Sequence, residues 1–460
     1  MKNKKPLIFL RRKFMDVLQR WKSRDDRLPL IVKGARQVGK TACIREFSKN
    51  RYASVVEINF AIRPEFKVIT QDGYDVANLI RNISLVDPSF RFIDGATLIF
   101  FDEIQDFPEI ATSFKSFAED GRYDVISSGS LLGIQLKRIE SISVGYQESE
   151  TMWSMDFEEF LWAQGYSESQ LDDVYGRLVS VSPFGRAAIQ ALDRRFIDYC
   201  VLGGMPEVEA NYIVKGTFEG VPSIQRRIVA DYRSDVRKYA EGLDPQRIIS
   251  VFDSVPAQLA KENKKFQIGK VVKGARYKDY WGCVEWLQDA GIVTLCKALD
   301  FPELPIVAHV DAARFKLYMA DSGLLLSRLD EESQDDFRIR RNLGTWKGGL
   351  FENIIAEALV KTGVEPVYYK KENSSLEMDF LMRSSDALVP VEVKAENSKA
   401  KSLRILIDSD NYRDIRWGVK LVRGDVGFEG KVLTVPQWAA FMLRRLLKET
   451  SFTRRISLCL

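Results

Sequence analysis

The chain has 460 residues, of which 45% are hydrophobic and 29% are charged, a composition typical of a folded protein with about two to four domains. The net charge of +4 is too small to indicate a nucleic-acid partner by itself. The single histidine, His309, argues against a histidine-based triad or metal site. Any chemistry is therefore expected to depend on carboxylates, lysines, backbone amides and hard metal ions.

Two further features exclude whole classes of protein. No apolar run reaches the roughly 18 residues that a membrane-spanning helix needs. The basic start of the chain is followed by only a short apolar stretch before Arg11, so no secretory signal is predicted and the protein is expected to stay in the cytoplasm. The five cysteines are scattered, which fits free thiols in a reducing compartment better than a zinc site.

The charges are unevenly distributed along the chain. Residues 1–27 contain ten Lys or Arg against three Asp or Glu, and residues 261–280 contain seven against two. Residues 330–337 instead contain five carboxylates and no basic residue. Basic segments of this kind attract phosphate backbones, but solvated helix faces have the same composition, so both interpretations remain open.

The first motif is a glycine-rich loop. An apolar segment, residues 28–33, is followed by GARQVGKT, in which glycines allow the backbone amides to converge on phosphate oxygens ahead of a helix N-terminus. Lys40 is expected to reach the β- and γ-phosphates of ATP, and the hydroxyl of Thr41 is expected to hold Mg²⁺. The loop residues predicted to bind the nucleotide are Gly34, Ala35, Arg36, Gln37, Val38, Gly39, Lys40 and Thr41.

The second motif is an apolar strand that ends in two carboxylates. Residues 97–105 read TLIFFDEIQ, and Asp102 is predicted to bind the metal ion while Glu103 orients or deprotonates the attacking water. A buried strand that runs into a helix cap would explain Asp102 but not the adjacent pair. The two motifs together predict ATP and Mg²⁺ as ligands and hydrolysis as the reaction.

The next predicted strand, within residues 123–133, ends in polar residues. Ser128 is predicted to sense the γ-phosphate, although serines at strand ends often only form turns. The sequence does not choose an arginine finger among Arg122, Arg138, Arg233 and Arg237.

Seven segments in order along the chain resemble bacterial AAA-type ATPases that are fused to a C-terminal domain of unknown function. They are GARQVGKT (34–41), FFDEIQ (100–105), SSGSLLG (127–133), MDFEEFLWAQG (155–165), GGMPE (203–207), ADSGLL (320–325) and LFENIIAEAL (350–359). The resemblance implies an α/β fold: a P-loop AAA-type parallel sheet with helices on both faces, a helical and winged-helix-like middle, and a C-terminal α/β restriction-endonuclease-like domain. Tyr146 departs from the pattern, which has a basic residue there.

This interpretation divides the chain into four domains and makes a homo-oligomer plausible. The predicted boundaries are 1–170 for the ATPase, 171–244 for a helical lid or linker, 245–330 for the winged-helix-like domain and 340–460 for the nuclease-like domain. Within residues 247–299, helices followed by a strand pair suit a winged helix that binds DNA. A structural helical domain with a solvated basic face is the alternative.

A second set of carboxylates lies near the C-terminus. Glu352 borders an apolar helix stripe, Asp379 lies on an alternating segment, and Glu392 and Lys394 share one face of the next segment. The pattern resembles the (P)D…(D/E)-x-K nuclease core, with Met378 at a position that is often proline. Glu352, Asp379 and Glu392 would then bind Mg²⁺ and Lys394 would position water. A solvent-facing hairpin with cross-strand pairs is the alternative.

The leading hypothesis is an ATPase coupled to a nuclease-like domain that acts on or binds nucleic acid, with DNA as the candidate partner. The alternative hypothesis is a nucleotide-dependent protein-interaction switch whose nuclease-like domain is inactive.

Overall fold

The computed structural model describes residues 9–130, 142–240, 242–261, 265–339, 341, 346–385, 387–396 and 399–459. These residues form two compact units. The first comprises Met1–Met155, Ala230–Ile248 and Gly282–Gly291, and the second comprises Asp156–Val229, Ile249–Trp281 and Ile292–Leu460, within the described ranges. The four-domain division from the sequence stays a prediction.

The first unit is built on a five-stranded sheet of parallel strands in the order β2-β3-β4-β1-β5. The strands are β1 Leu30–Gly34, β2 Ser54–Asn59, β3 Thr97–Asp102, β4 Asp124–Ser130 and β5 Glu148–Thr151. All six residues of β3 are buried, as expected for a central strand covered on both faces. This is the fold of AAA-type P-loop ATPases, and it confirms the first part of the predicted fold class.

Helices pack against this sheet. The first four are α1 Phe14–Lys22, α2 Lys40–Ser48, α3 Val76–Val86 and α4 Phe114–Asp120. Apolar residues of β2, β3 and α3 share one buried cluster, in which Val56, Ile99 and Leu79 are inaccessible to solvent. The core thus fixes the strands, and with them the carboxyl ends at which the polar residues lie.

The remaining helices are distributed over both units. They are α5 Phe157–Ala163, α6 Glu168–Ser180, α7 Arg186–Leu202, α8 Pro206–Lys215, α9 Val221–Tyr239, α10 Pro245–Leu259, α11 Tyr277–Asp289, α12 Ser322–Leu326, α13 Glu331–Arg338, α14 Trp346–Lys361, α15 Lys401–Ile407, α16 Ala440–Lys448 and α17 Thr450–Cys459. Short 3-10 helices occur at Pro64–Thr70, Ile104–Asp106, Pro108–Ser113, Ile268–Lys270, Ile306–His309 and Gln437–Ala439. No helix among the described residues is long and apolar enough to cross a membrane.

The second unit contains an eight-stranded mixed sheet in the order β12-β13-β11-β10-β9-β8-β6-β7. Its strands are β6 Val293–Leu299, β7 Val310–Met319, β8 Val367–Lys370, β9 Glu377–Arg383, β10 Leu388–Val393, β11 Gly418–Val422, β12 Gly427–Glu429 and β13 Val432–Pro436. Within residues 247–299, where the winged-helix prediction has a strand pair, the described residues contain one strand, β6, and it pairs antiparallel with β7 outside that range. The winged-helix interpretation therefore stays a prediction.

Two of the motifs form a close backbone contact in the second unit. A Cβ atom on Gly323 would lie 2.2 Å from the carbonyl oxygen of Leu202, and one on Gly203 would lie 2.1 Å from Oδ1 of Asp321. Asp321 also accepts a hydrogen bond of 2.8 Å from the amide of Gly204. The segments GGMPE and ADSGLL are therefore held together by glycines that leave no space for a side chain.

We predict that Gly323→Ala lowers the free energy of unfolding by about 2–4 kcal/mol, because the added methyl group meets rigid backbone. Gly176→Ala is the matched control, since its position in α6 is open and the change should stabilise that helix by about 0.5–1 kcal/mol. Urea denaturation of both variants measures the difference. Equal stability of the two variants would contradict the close contact.

Candidate functional site

The glycine-rich loop connects β1 to α2 and curls tightly. Gln37 and Gly39 have φ angles of 68° and 98°, in the left-handed region that glycine adopts without strain. A Cβ atom on Gly34 would lie 2.2 Å from the carbonyl oxygen of Met152, just after β5. The loop therefore needs glycine at its start, where two backbone segments nearly touch.

Lys40, the first residue of α2, lies inside this loop. Its side chain is buried, and Nζ donates hydrogen bonds of 2.9 Å and 3.0 Å to the carbonyl oxygens of Gly34 and Ala35. Burial lowers the pKa of Lys40 to about 8, although the nearby carboxylates of Glu103 and Asp102 act in the opposite direction. The loop thus encloses a cation that is partly desolvated.

Side chains from three elements donate hydrogen bonds to Asp102. Its carboxylate, at the end of β3, is only 2% exposed. It accepts hydrogen bonds from Oγ1 of Thr41 at 3.2 Å, from Nδ2 of Asn59 at 2.8 Å and from Oγ of Ser128. Since the carboxyl ends of parallel strands meet at one sheet edge, β2, β3 and β4 can each contribute a side chain here.

Glu103 follows directly and is held in an unusual backbone conformation. Its φ of 55° is left-handed, which costs about 1 kcal/mol or more for a residue other than glycine. Nε2 of Gln105 donates to a carboxylate oxygen of Glu103, and Gln105 is buried. A Cβ atom on Gly129 would lie 3.1 Å from Oε1 of Gln105, so this glycine leaves room for the buried amide.

The structure thus places the sequence-predicted residues Lys40, Thr41, Asp102, Glu103 and Ser128 in one site. Their roles stay predictions. Sequence reasoning missed Asn59, although a polar residue at the end of a strand is the signal that also pointed to Asp102.

Helix α9 holds the loop from the other side. Nη1 of Arg36 pairs with Oδ1 of Asp235, Nε2 of Gln37 donates to Asp231 at 2.7 Å, and the hydroxyl of Tyr232 donates to the carbonyl oxygen of Arg36 at 3.1 Å. Sequence reasoning missed these contacts, because 199 residues separate Arg36 from Asp235 and no local pattern links them.

Arg12 links the loop to the segment that follows β5. Its guanidinium is buried and donates to the carbonyl oxygens of Val38 at 2.7 Å and Trp153 at 2.6 Å. Arg12 belongs to the basic segment 1–27, which was a candidate surface for phosphate backbones. Arg12 is instead used inside the first unit.

Other basic residues of that segment are also paired within the unit. Lys22 and Arg27 both pair with Asp124, at 2.6 Å and 2.7 Å, and Arg24 pairs with Glu148 at 2.6 Å. The described part of the segment therefore contributes much of its charge to ion pairs that hold α1 and the following turn against the sheet.

The arginine-finger candidates remain unassigned. Arg122 pairs with Asp120 at 2.8 Å, Arg233 is half-buried on α9, and Arg237 is exposed on the same helix. Arg138 lies outside the described residues, as does the end of the SSGSLLG motif. Tyr146, which replaces the expected basic residue, lies with its ring 5.1 Å from Nζ of Lys115.

The second carboxylate set lies in the second unit, on helix α14 and on strands of the mixed sheet. Glu352 of α14 is buried and accepts from Nζ of Lys316 at 3.3 Å and from the hydroxyl of Tyr318 at 3.2 Å. Lys316 also pairs with Glu377 at 2.9 Å. Burial opposes the charge on Lys316, but its anionic neighbours, with Glu352 the strongest, prevail and raise its pKa well above the ordinary value. Glu352 is therefore held in a buried ion pair.

The other members of the set have different partners. Asp379 on β9 accepts a hydrogen bond of 2.8 Å from the amide of Val393, and Glu392 on β10 pairs with Lys394 at 2.6 Å. The described residues contain no group of three or more His, Cys, Asp or Glu side chains arranged to hold a metal ion. The role of Glu352, Asp379 and Glu392 as metal ligands therefore stays a prediction.

The basic middle segment, residues 265–278, presents charge to solvent. Lys270, Lys273, Arg276 and Lys278 are exposed, and none of them forms an ion pair with a residue that the structure describes. In this respect it differs from the basic segment at the start of the chain. We call these four residues the basic patch.

Three protein families match separate parts of the chain. Residues 26–161 match the AAA domain, residues 193–335 match a domain of unknown function (DUF8612), and residues 347–438 match another domain of unknown function (DUF4143). The first match covers the loop, the acidic pair and the parallel sheet. The third match is to a domain of unknown function, so the restriction-endonuclease-like interpretation stays a prediction. No curated protein sequence matches the chain.

Several solved structures match the chain at low sequence identity and low structural similarity. The ORC2 protein of Aeropyrum pernix in its ADP form is 12% identical, with 74% of this chain and 97% of that chain covered and a TM-score of 0.32. The ORC1 protein of the same organism in complex with DNA is 13% identical, with 73% and 94% covered and a TM-score of 0.28. A RuvB variant of Thermotoga maritima is 12% identical, with 61% and 87% covered and a TM-score of 0.27.

We predict that Arg12→Met lowers the free energy of unfolding of the first unit by about 2–4 kcal/mol, because two carbonyl oxygens beside the loop lose a charged donor. Arg20→Met is the matched control, since Arg20 is exposed in the same segment. Urea denaturation of the two variants measures the difference. A loss no larger for Arg12→Met than for Arg20→Met would contradict the supporting role of Arg12.

Proposed function

We propose that the chain is a Mg²⁺-dependent ATPase. The observation that carries this proposal is the convergence of Thr41, Asn59 and Ser128 on Asp102, next to a loop that encloses Lys40. A hydroxyl and a buried carboxylate 3.2 Å apart offer the hard oxygen ligands that Mg²⁺ prefers. One carboxylate suffices, because Mg²⁺ in such sites keeps several waters and binds phosphate oxygens as well.

Each residue has a part in the proposed reaction. The amides of residues 35–41 bind phosphate oxygens, and Lys40 exchanges its two carbonyl partners for the β- and γ-phosphates. Thr41 and Asp102 would hold Mg²⁺, which supplies neutralisation of the charge that develops on the phosphates. Glu103, fixed by Gln105, orients the attacking water and accepts its proton.

We predict that Lys40→Ala lowers ATP turnover by at least about 100-fold, because the developing charge on the phosphates loses its main cation. Glu103→Gln should lower kcat by about 10²–10⁴-fold while ATP still binds, because only proton transfer is affected. Phosphate release and equilibrium binding of ATP measure the two effects. Lys49→Ala, an exposed lysine on the surface just after α2, is the control and should leave turnover unchanged. Unchanged turnover in Lys40→Ala would overturn the proposal.

We further propose that the second unit binds nucleic acid and does not cleave it. The observation that favours binding is the basic patch, whose four side chains are exposed and unpaired within the described part of the chain. Such residues gain free energy by releasing counterions from a phosphate backbone. The absence of cleavage is the expectation of this proposal, in which Lys316 neutralises Glu352 and leaves Asp379 and Glu392 as the remaining predicted ligands.

Cleavage of nucleic acid distinguishes this proposal from the nuclease hypothesis. Incubation with Mg²⁺ or Mn²⁺ and single- or double-stranded DNA or RNA should give no cleavage. Cleavage that is lost in Asp379→Asn but retained in Lys40→Ala would instead establish the second unit as a nuclease. If the chain binds no nucleic acid even at low salt, the alternative hypothesis of a protein partner is favoured.

We predict that replacing Lys270, Lys273, Arg276 and Lys278 by alanine weakens binding to a DNA duplex and makes it less sensitive to salt. The slope of log K against log salt should become less steep by about 3, since up to four phosphate contacts are lost. Lys215→Ala with Arg226→Ala is the control, because Glu219 and Glu331 already compensate these charges. Fluorescence anisotropy across a salt series measures the slope. An unchanged slope would exclude the patch as the binding surface.

A further inference from the structure

An acidic side chain lies beside the glycine-rich loop where a triphosphate is expected to bind. Asp235 comes from the end of α9 that belongs to the first unit and pairs with Arg36 of the loop. The side chain of Asp235 is 4% exposed, whereas that of Arg36 is 35% exposed. A carboxylate so close to the loop repels an anionic ligand and occupies a guanidinium that suits phosphate well. Its position therefore needs an explanation.

Fold stability does not provide that explanation. Burial raises the pKa of Asp235 to about 6, and Glu103 and Asp231 act in the same direction, whereas Arg36 lowers it. Because the pKa is raised in the folded protein, the stability contributed by Asp235 is present at low pH and is lost as the pH rises through about 6. Its Oδ2 has no hydrogen-bond partner among the described residues. At neutral pH the buried carboxylate thus costs stability.

The remaining contacts of α9 allow Arg36 to change its partner. The hydroxyl of Tyr232 holds the carbonyl oxygen of Arg36, and Asp231 holds the side chain of Gln37 at 2.7 Å. The loop backbone is therefore fixed by bonds that do not involve the guanidinium. Arg36 can leave Asp235 for a phosphate while the loop keeps its position.

We propose that Asp235 sets the ATP affinity of the site by holding the guanidinium of Arg36 in an ion pair that a bound triphosphate must break. The inference rests on the proposed ATPase function. Asp235 is a positioning residue, since it acts through Arg36 and does not itself bind the nucleotide. The ion pair lowers the affinity for ATP, and α9 loses one of its contacts with the loop whenever ATP binds.

The experiment measures binding of ATP with Mg²⁺ to the 460-residue chain by calorimetry. Asp235→Asn keeps the size of the side chain but removes its charge, so it should tighten ATP binding by about 5- to 20-fold, the range expected for one partly buried charge pair. Asp87→Asn is the matched control, because Asp87 pairs at 2.8 Å with Arg63, which is not part of the loop. It should leave the affinity unchanged.

A double-mutant cycle separates the proposed mechanism from a general effect on the fold. In an Arg36→Ala background, Asp235→Asn should tighten binding much less, since the guanidinium that it releases is absent and only the direct repulsion of the anionic ligand is removed. A gain of undiminished size in this background would overturn the role of Arg36. Thermal denaturation of each variant should show a stability at neutral pH no lower for Asp235→Asn than for the unchanged chain.

A pH series provides a readout that a merely structural residue would not change. The groups that face Asp235 are Arg36 and Lys40 of the loop region, Glu103 after β3, and Asp231 and Lys238 on α9. These other groups are the same in both proteins. Comparing the ATP affinity of the unchanged chain with that of Asp235→Asn at each pH therefore isolates the effect of Asp235. The affinity ratio should be largest above pH 7 and should shrink as the pH falls through about 6, because protonation of Asp235 also releases Arg36.

The outcomes distinguish this inference from the proposed function. If the unchanged chain and Asp235→Asn both bind ATP with equal affinity, or Asp235→Asn binds more weakly, the inference is wrong and the ATPase proposal stands. If neither protein binds ATP, the proposed function itself fails.

Discussion

The hydrogen bonds that converge on the carboxylate of Asp102 are the interaction on which the candidate site depends. Thr41 comes from α2, Asn59 from β2 and Ser128 from β4, so one buried carboxylate fixes three elements of the sheet edge relative to the glycine-rich loop. A buried carboxylate needs such partners, because an unpaired charge would be costly there. The parallel sheet meets this need, since its strands end at the same edge. The same arrangement that satisfies Asp102 places Glu103 and Lys40 beside it.

The glycine-rich loop and the strand before Asp102 could be predicted from the sequence, because each is formed by neighbouring residues. The spacing of Gly34, Gly39 and Lys40 determines the shape of the loop, and the apolar run before Asp102 determines a buried strand. Contacts between distant segments were not predictable. Arg12 reaches Val38 and Trp153, and Asp235 reaches Arg36, but no periodicity or spacing marks these residues. Their partners are set by how helices pack on the sheet.

The two basic segments also show that contacts between distant residues cannot be predicted from the sequence. Residues 1–27 and 261–280 are similarly rich in Lys and Arg, yet the described part of the first segment contributes ion pairs to the fold while the second carries the exposed basic patch. Composition cannot separate the two cases, because the difference lies in whether Asp124 and Glu148 are near. In the second unit, the two alternating segments fall in β9 and β10, which pair antiparallel. Alternation could not show that Lys316, on β7, would pair with Glu352.

The proposed ATPase activity requires Asp102 and Thr41 to bind Mg²⁺ together with ATP. Calorimetric titration of ATP into the 460-residue chain, with and without Mg²⁺, tests it most directly when it is repeated on Asp102→Asn. Mg²⁺ should tighten ATP binding to the unchanged chain by at least about tenfold, and most of this gain should be lost in Asp102→Asn. Absence of ATP binding by the folded chain, or a Mg²⁺ effect of equal size in both proteins, would contradict it.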